Sequence, residues 1–188
     1  MTVDPIAVAV RVAHILDGMG IAHTIGGSLA SSMAGEPRST VDIDFVLAIE
    51  ESHVDALAAA LEPEFYVDAD ALRRAVRSRG TANLIHHDTQ LKIDFFTAGG
   101  TPLDLHQIAR RREVTLGPGR TIHVHPPEDI LLQKLRWYRL GGETSDRQWR
   151  DILAIVRVQG TRLDRAYLDA QSPVLGVQDL LHRALGEA

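Results

Sequence analysis

The sequence has no cysteine, which excludes a disulfide framework and any thiolate-bound metal and makes a reducing cytoplasm the expected compartment. It also lacks a long apolar run. The longest stretches are a handful of residues, against roughly 20 needed to cross a bilayer, and the N-terminus has no charged segment followed by an apolar one. Neither membrane insertion nor export is therefore expected. Basic excess is missing too: a net charge of -5 argues against indiscriminate coating of nucleic acid, which draws on many Lys and Arg contacts to phosphate. Arginine clusters at Arg73, Arg74, Arg77 and Arg79 and at Arg110 to Arg112 leave a local basic face open, although such runs usually cover solvated surface. No repeat, low-complexity tract or long linker interrupts the chain.

What is present is a 45% apolar sequence of 188 residues, enough for a real core. Helical spacing over residues 5 to 17 predicts an opening amphipathic helix stopped by Gly18 and Gly20, and IAHTI at 21 to 25 reads as a short strand. Residues 28 to 33 suit a short helix, Glu36 to Arg38 a loop, and 41 to 49 a second strand. Further helices are predicted at 51 to 61 and 70 to 78, with FYV at 65 to 67 as a strand between them. A hairpin follows, ANLIHH (82 to 87) against QLKIDFF (90 to 96). A short helix near 103 to 111 leads to the GPGR turn at 117 to 120 between strands, the second being TIHVH. Beyond Pro126 the pattern is helical, in three or four segments. The expected layout is an α/β (α+β) core over 1–125, a mixed sheet flanked by helices, and a helical region over 126–188 packed on it as one cooperative unit, with a cleft at their junction.

Chemistry concentrates in GGSLASSMAGEPRSTVDIDFVL, residues 26 to 47. Side chains alternate along a strand, so Ile43 and Phe45 share one face while Asp42 and Asp44 point together from the other. Two like charges on one face repel each other, a cost that a divalent cation offsets. Asp94 stands in the same way among Ile93 and Phe95. Three carboxylates on neighbouring strands are what a two-metal phosphoryl-transfer site needs: hard oxygen ligands that fix the ions, polarise an α-phosphate and help activate a hydroxyl. Gly26 and Gly27 let backbone amides approach an anion, Ser28 can donate a hydrogen bond, and the next helix presents its N-terminus to phosphate. His86 with His87 and His123 with His125 suggest zinc, but no carboxylate or cysteine lies at ligand spacing from them, and they read as satisfied or exposed strand histidines. Trp137, Tyr138 and Trp149 read as core or cleft wall.

Strand, GGS, helix, a link containing Gly35 and Arg38, a strand with Asp-x-Asp and a later strand with Asp together resemble the nucleotidyltransferase superfamily named for DNA polymerase β, over residues 21 to 97. The resemblance implies that the glycine-serine motif holds the phosphates of an NTP and that Asp42, Asp44 and Asp94 bind Mg²⁺ or Mn²⁺. PPEDILLQKLRWYR and SDRQWRDILAIV resemble segments of AbiEii and MenT toxin-like nucleotidyltransferases, in which a helical lysine and a later helical aspartate complete the active site. The matching residues are Lys134 and Asp151, with Asp146 a competing choice, and Thr40 occupies the Ser or Thr position two before the first metal aspartate. The implied activity is transfer of an NMP to a hydroxyl. Its acceptor is the tRNA 3′ end, for a toxin with a cognate antitoxin, or else a protein or an aminoglycoside-like small molecule; a non-catalytic antitoxin or binding module is the reading from another class.

Overall fold

The computed structural model describes residues 4–37, 40 and 42–188; Arg38 and Val41, the end of the expected loop and the start of the expected strand, lie outside the described residues. The chain forms two compact units. The first runs to Leu29 and resumes before the second strand to end at His125; the second takes the rest of the short helix, from Ala30, together with Pro126–Ala188.

In the first unit, helix α1 (Pro5–Gly18) starts where the Asp4 carboxylate accepts from the Ile6 N–H at 3.0 Å, with Pro5 preset for the first turn. It buries Val8, Ala9, Val12, Ala13 and Leu16 and stops at Gly20, whose φ of +68° suits glycine. Strand β1 (Ala22–Ile25), helix α2 (Gly27–Ala34) and strand β2 (Asp42–Ala48) follow, then α3 (Val54–Leu61), β3 (Phe65–Val67) and α4 (Ala69–Ser78). The expected hairpin is β4 (Thr81–His86) with β5 (Lys92–Thr97); α5 (Pro102–Ala109), capped by the reciprocal pair Thr101 and Asp104, leads to β6 (Arg112–Gly117) and β7 (Arg120–Val124).

These strands make one seven-stranded mixed sheet in the order β3-β4-β5-β2-β1-β7-β6. The pairs β2–β5 and β1–β7 are parallel, the rest antiparallel. One face carries the main core, where Ile43, Phe45, Ile93 and Phe95 pack with α1, α3 and α4 residues such as Leu16, Leu57 and Leu72. Each such side chain contributes about 1.5–3 kcal/mol on burial. On the other face Val46, Ala98 and Ile108 cluster with Phe96 beside α5. The first arginine cluster is surface: Arg73 pairs with Asp55 and Asp70, and Arg77 with Glu51.

The second unit contains four helices past Pro126: α6 (Pro127–Leu140), α7 (Asp146–Gln159), α8 (Arg165–Val174) and α9 (Gln178–Glu187). Leu131, Leu135 and Tyr138 of α6 face Trp149, Ile152 and Val156 of α7 in one buried cluster that includes Ala30 and Ala34. Tyr138 and Trp149 place their rings 5.1 Å apart, whereas Trp137 is exposed. Among the described residues no helix is long and apolar enough to cross a membrane.

Candidate active site

Parallel pairing of β2 with β5 sets Asp44 directly beside Asp94, and Phe45 beside Phe95. Partners in register point to the same face, so one alignment brings the carboxylates together above the sheet and the phenyl rings together below it, 5.9 Å apart and edge-on. A slip of one residue would drive the aspartates into the core. The four apolar side chains on the lower face, at about 1.5–3 kcal/mol each, outweigh the repulsion on the upper one. That repulsion is visible at Asp44: burial first, then the charges of Asp42 and Asp94, push its carboxyl up to about 6.

The surrounding groups hold each carboxylate differently. The Thr40 hydroxyl donates to Asp42 Oδ1 at 2.9 Å, and Asp44 accepts from the Ser28 backbone N–H. Asp94 is buried; its Oδ2 accepts from Lys92 Nζ at 2.7 Å, while its Oδ1 has no hydrogen-bond partner among the described residues. The bond to Asp94 raises the Lys92 pKa. Nothing in the motif pattern singles out Lys92, although it stands two residues before Asp94 and therefore on the same face, opposite Asp42. Three carboxylates on one sheet face, one held near pKa 6 and one with an unpartnered buried oxygen, supply the hard oxygen donors a divalent cation prefers, although their oxygens do not all lie within 4.8 Å of one another.

The glycines are needed for reasons of space. A Cβ on Gly27 would lie 1.6 Å from Asp44 Oδ2, and its φ of +57° is left-handed. A Cβ on Gly26 would lie 2.6 Å from the His125 ring, and the Gly26 N–H donates to the Asp44 carbonyl at 2.9 Å. His125 is thus the floor under the glycine turn, placed there by the parallel pairing of β1 and β7, with its own N–H donating to Ile25 O. It is buried, and burial lowers its pKa to about 3, so it carries no charge near neutrality. Its role was hidden because almost 100 residues separate it from Gly26.

On the second unit, Lys134 of α6 donates to Asp151 of α7 at 2.8 Å, both side chains little exposed. Asp146, in the first turn of α7, is exposed. The lysine and aspartate singled out in the sequence are therefore partners. Because Thr40 fixes Asp42 through one hydroxyl, Thr40→Val is expected to weaken divalent-cation binding about tenfold with no loss of fold, read by calorimetry and circular dichroism.

Two solved structures share this fold. An antigenic nucleotidyltransferase-like protein from Paracoccidioides brasiliensis matches 96% of this chain and 91% of its own at 18% identity, with a TM-score of 0.59. The antibiotic-resistance factor ANT(2'')-Ia matches 95% of this chain and 96% of its own at 12% identity, with a TM-score of 0.57. No curated protein sequence matches the chain. The model of the nucleotidyl transferase AbiEii toxin family, of type IV toxin-antitoxin systems, matches residues 25–172, from the end of β1 into α8 and so across both units. The chain belongs to this AbiEii family of nucleotidyl transferase toxins.

Proposed function

We propose that the protein is a Mg²⁺-dependent enzyme, with Mn²⁺ as the alternative ion, that moves an NMP from an NTP to the 3′-terminal hydroxyl of tRNA and is restrained by a cognate antitoxin. The observation that carries the metal-dependent transfer is the register of β2 on β5, which sets Asp44 beside Asp94 with Asp42 on the same face. Asp42, Asp44 and Asp94 hold the metal, which when bound would polarise the α-phosphate and neutralise charge on the triphosphate. Asp94 Oδ1, left open by the Lys92 bond on Oδ2, takes the proton of the acceptor hydroxyl. The acceptor oxygen then bonds to the α-phosphorus as the bond to the bridging oxygen breaks, and pyrophosphate leaves. Gly26, Gly27 and Ser28 form the phosphate-binding turn; because the Gly26 and Ser28 N–H groups donate to Asp44, phosphate is met by the N-terminus of α2 beyond them and by the Ser28 hydroxyl. Thr40 keeps Asp42 aimed, and the resemblance to AbiEii and MenT toxin-like enzymes gives Lys134, which donates to Asp151, the role of a point charge on the triphosphate.

The tRNA acceptor follows from the resemblance to AbiEii and MenT toxin-like enzymes, and the net charge of -5 is a mild argument against it. The test is incubation of purified protein with each labelled NTP, Mg²⁺ and total tRNA. Label is expected in RNA, and removal of Mg²⁺ by chelation is expected to abolish it. No labelled RNA above the Asp42→Asn background would sink this reading. A second acceptor class has its own support, since ANT(2'')-Ia, alike in fold, was crystallised with adenylyl-2''-tobramycin. Label appearing in an aminoglycoside arm and not in the RNA arm would select it. An antitoxin or binding module is favoured only if calorimetry finds no Mg²⁺-dependent NTP binding.

A further inference from the structure

Along the chain His123 has no carboxylate or cysteine at ligand spacing, but the fold brings it two partners from the start of the sequence. Asp17 near the end of α1, His23 of β1 and His123 of β7 each place one ligand atom, a carboxylate oxygen and two ring nitrogens, within 4.8 Å of one another. The two imidazoles stand edge-on, 5.4 Å apart between centroids. His23 is 1% exposed, and its Nδ1 lies 3.0 Å from Ile21 O. A carbonyl can only accept, so Nδ1 carries the proton and the lone pair sits on Nε2. That Nε2 is buried with no hydrogen-bond partner among the described residues, and so is His123 Nδ1. A second-sphere bond from one ring nitrogen to a backbone carbonyl, with the other nitrogen left for a ligand, is the usual arrangement of a metal-binding histidine.

A plain ion pair explains the cluster less well. The 3.8 Å between His23 and Asp17 Oδ1 is measured to Nδ1, which already donates to Ile21 O, and it is beyond hydrogen-bond distance. Tetrahedral ligands about 2.1 Å from zinc stand about 3.4 Å apart. Asp17, half exposed, has to swing toward His23 Nε2 to reach that spacing, and it gives an ion a path from solvent. Arg111 lies close enough to disfavour a cation there, and the Asp17 charge offsets it. This cluster is separate from the carboxylate set: His23 pairs with Leu47 and touches the Phe45 ring, on the strand face opposite Asp44.

We propose that Asp17, His23 and His123 form a Zn²⁺ site with a fourth position for water, a clasp tying the end of α1 and the start of β1 to β7. Two imidazoles and one carboxylate select zinc or a neighbouring transition metal over Mg²⁺, which prefers an all-oxygen octahedron. The full chain, stripped with chelator and held in excess Mg²⁺ to occupy the carboxylate set, is titrated with Co²⁺ as a coloured stand-in. One equivalent is expected to bind with the visible absorption of a four-coordinate nitrogen-oxygen site and to be displaced by Zn²⁺. Asp17→Asn, at an exposed position that does not threaten the fold, and His123→Gln are each expected to weaken binding about tenfold or more, while Asp42→Asn leaves it unchanged. No visible band in excess Co²⁺ overturns the proposal, as does a band that survives Asp17→Asn and His123→Gln or is lost in Asp42→Asn.

Discussion

Asp44→Asn is expected to raise the melting temperature of the metal-free protein at pH 7 while lowering nucleotidyl transfer by about 10²–10⁴-fold, the scale of losing several kcal/mol of charge stabilisation. The gain follows from the carboxyl's pKa, pushed up to about 6 by burial and by Asp42 and Asp94. Below about pH 4 the group is protonated in the folded and unfolded chain alike, and it costs nothing. Between about 4 and 6 the folded protein holds a proton that the unfolded chain has released, so stability falls as pH rises through this window and stays low above it. About two pKa units amount to roughly 3 kcal/mol; with the side chain partly exposed, on the order of 2 kcal/mol is a fair expectation, or roughly 4–8 °C in a chain of this size. Asparagine keeps an oxygen to accept from the Ser28 N–H and removes the charge. Thermal melts of both proteins from pH 4 to pH 8 without metal check this: the curves should converge at the acid end and separate by pH 6. Parallel curves would mean that Asp44 is not held under strain. Saturating Mg²⁺ should reverse the order at pH 7, because only the wild type then gains by binding.

That carboxylate was legible in the sequence because its signal is local. Alternation along five residues from Asp42 is enough to put two acids on one side of a strand, and the same alternation finds Asp94. The glycine stop after α1 is local in the same sense, whereas the Thr101 cap, equally local, sets a start one residue before the helix read at 103 to 111. Register is not local. Asp44 meets Asp94 only because β5 returns parallel to β2 after β3 and β4, and His125 meets Gly26 only because β7 lies parallel to β1. No spacing rule reaches across such distances. Lys92 failed to stand out for another reason: a lysine two residues from an aspartate is ordinary strand surface until the strand proves central and the aspartate buried. The Asp17, His23 and His123 cluster combines both difficulties, with three elements and no repeat in spacing. In the helical unit the helical spacing of Leu131, Leu135 and Tyr138, and of Trp149, Ile152 and Val156, is readable from the chain and marks the buried faces of α6 and α7, but the bond from Lys134 to Asp151 depends on how those helices meet.

Gly27→Ala tests the opposite wall of the site, and its effect is expected to be large in both stability and activity. A Cβ there would lie 1.6 Å from Asp44 Oδ2 and 2.5 Å from Cγ, where ordinary contact begins near 3.4 Å. The left-handed φ of +57° adds about 1–2 kcal/mol for any residue with a Cβ. Gly20→Ala separates the two contributions, since Gly20 has a φ of +68° and nothing within 4 Å of an added Cβ. It is expected to lose about 1 kcal/mol with activity intact. Gly27→Ala should lose that and a further 1–3 kcal/mol or so from overpacking. Relief requires Asp44 to swing away from the Ser28 N–H or the turn to move by an ångström or more, and either displacement is expected to cut transfer by about 10²-fold or more. Adding Asp44→Ala to Gly27→Ala removes the colliding carboxylate and leaves only the tight 3.0 Å approach to the Asp44 Cβ. The double variant should therefore be more stable than the sum of the single changes predicts, by at least about 1 kcal/mol. Strict additivity in denaturant titrations of the four proteins would show that the glycine serves the turn alone and that the carboxylate does not fill its side-chain space.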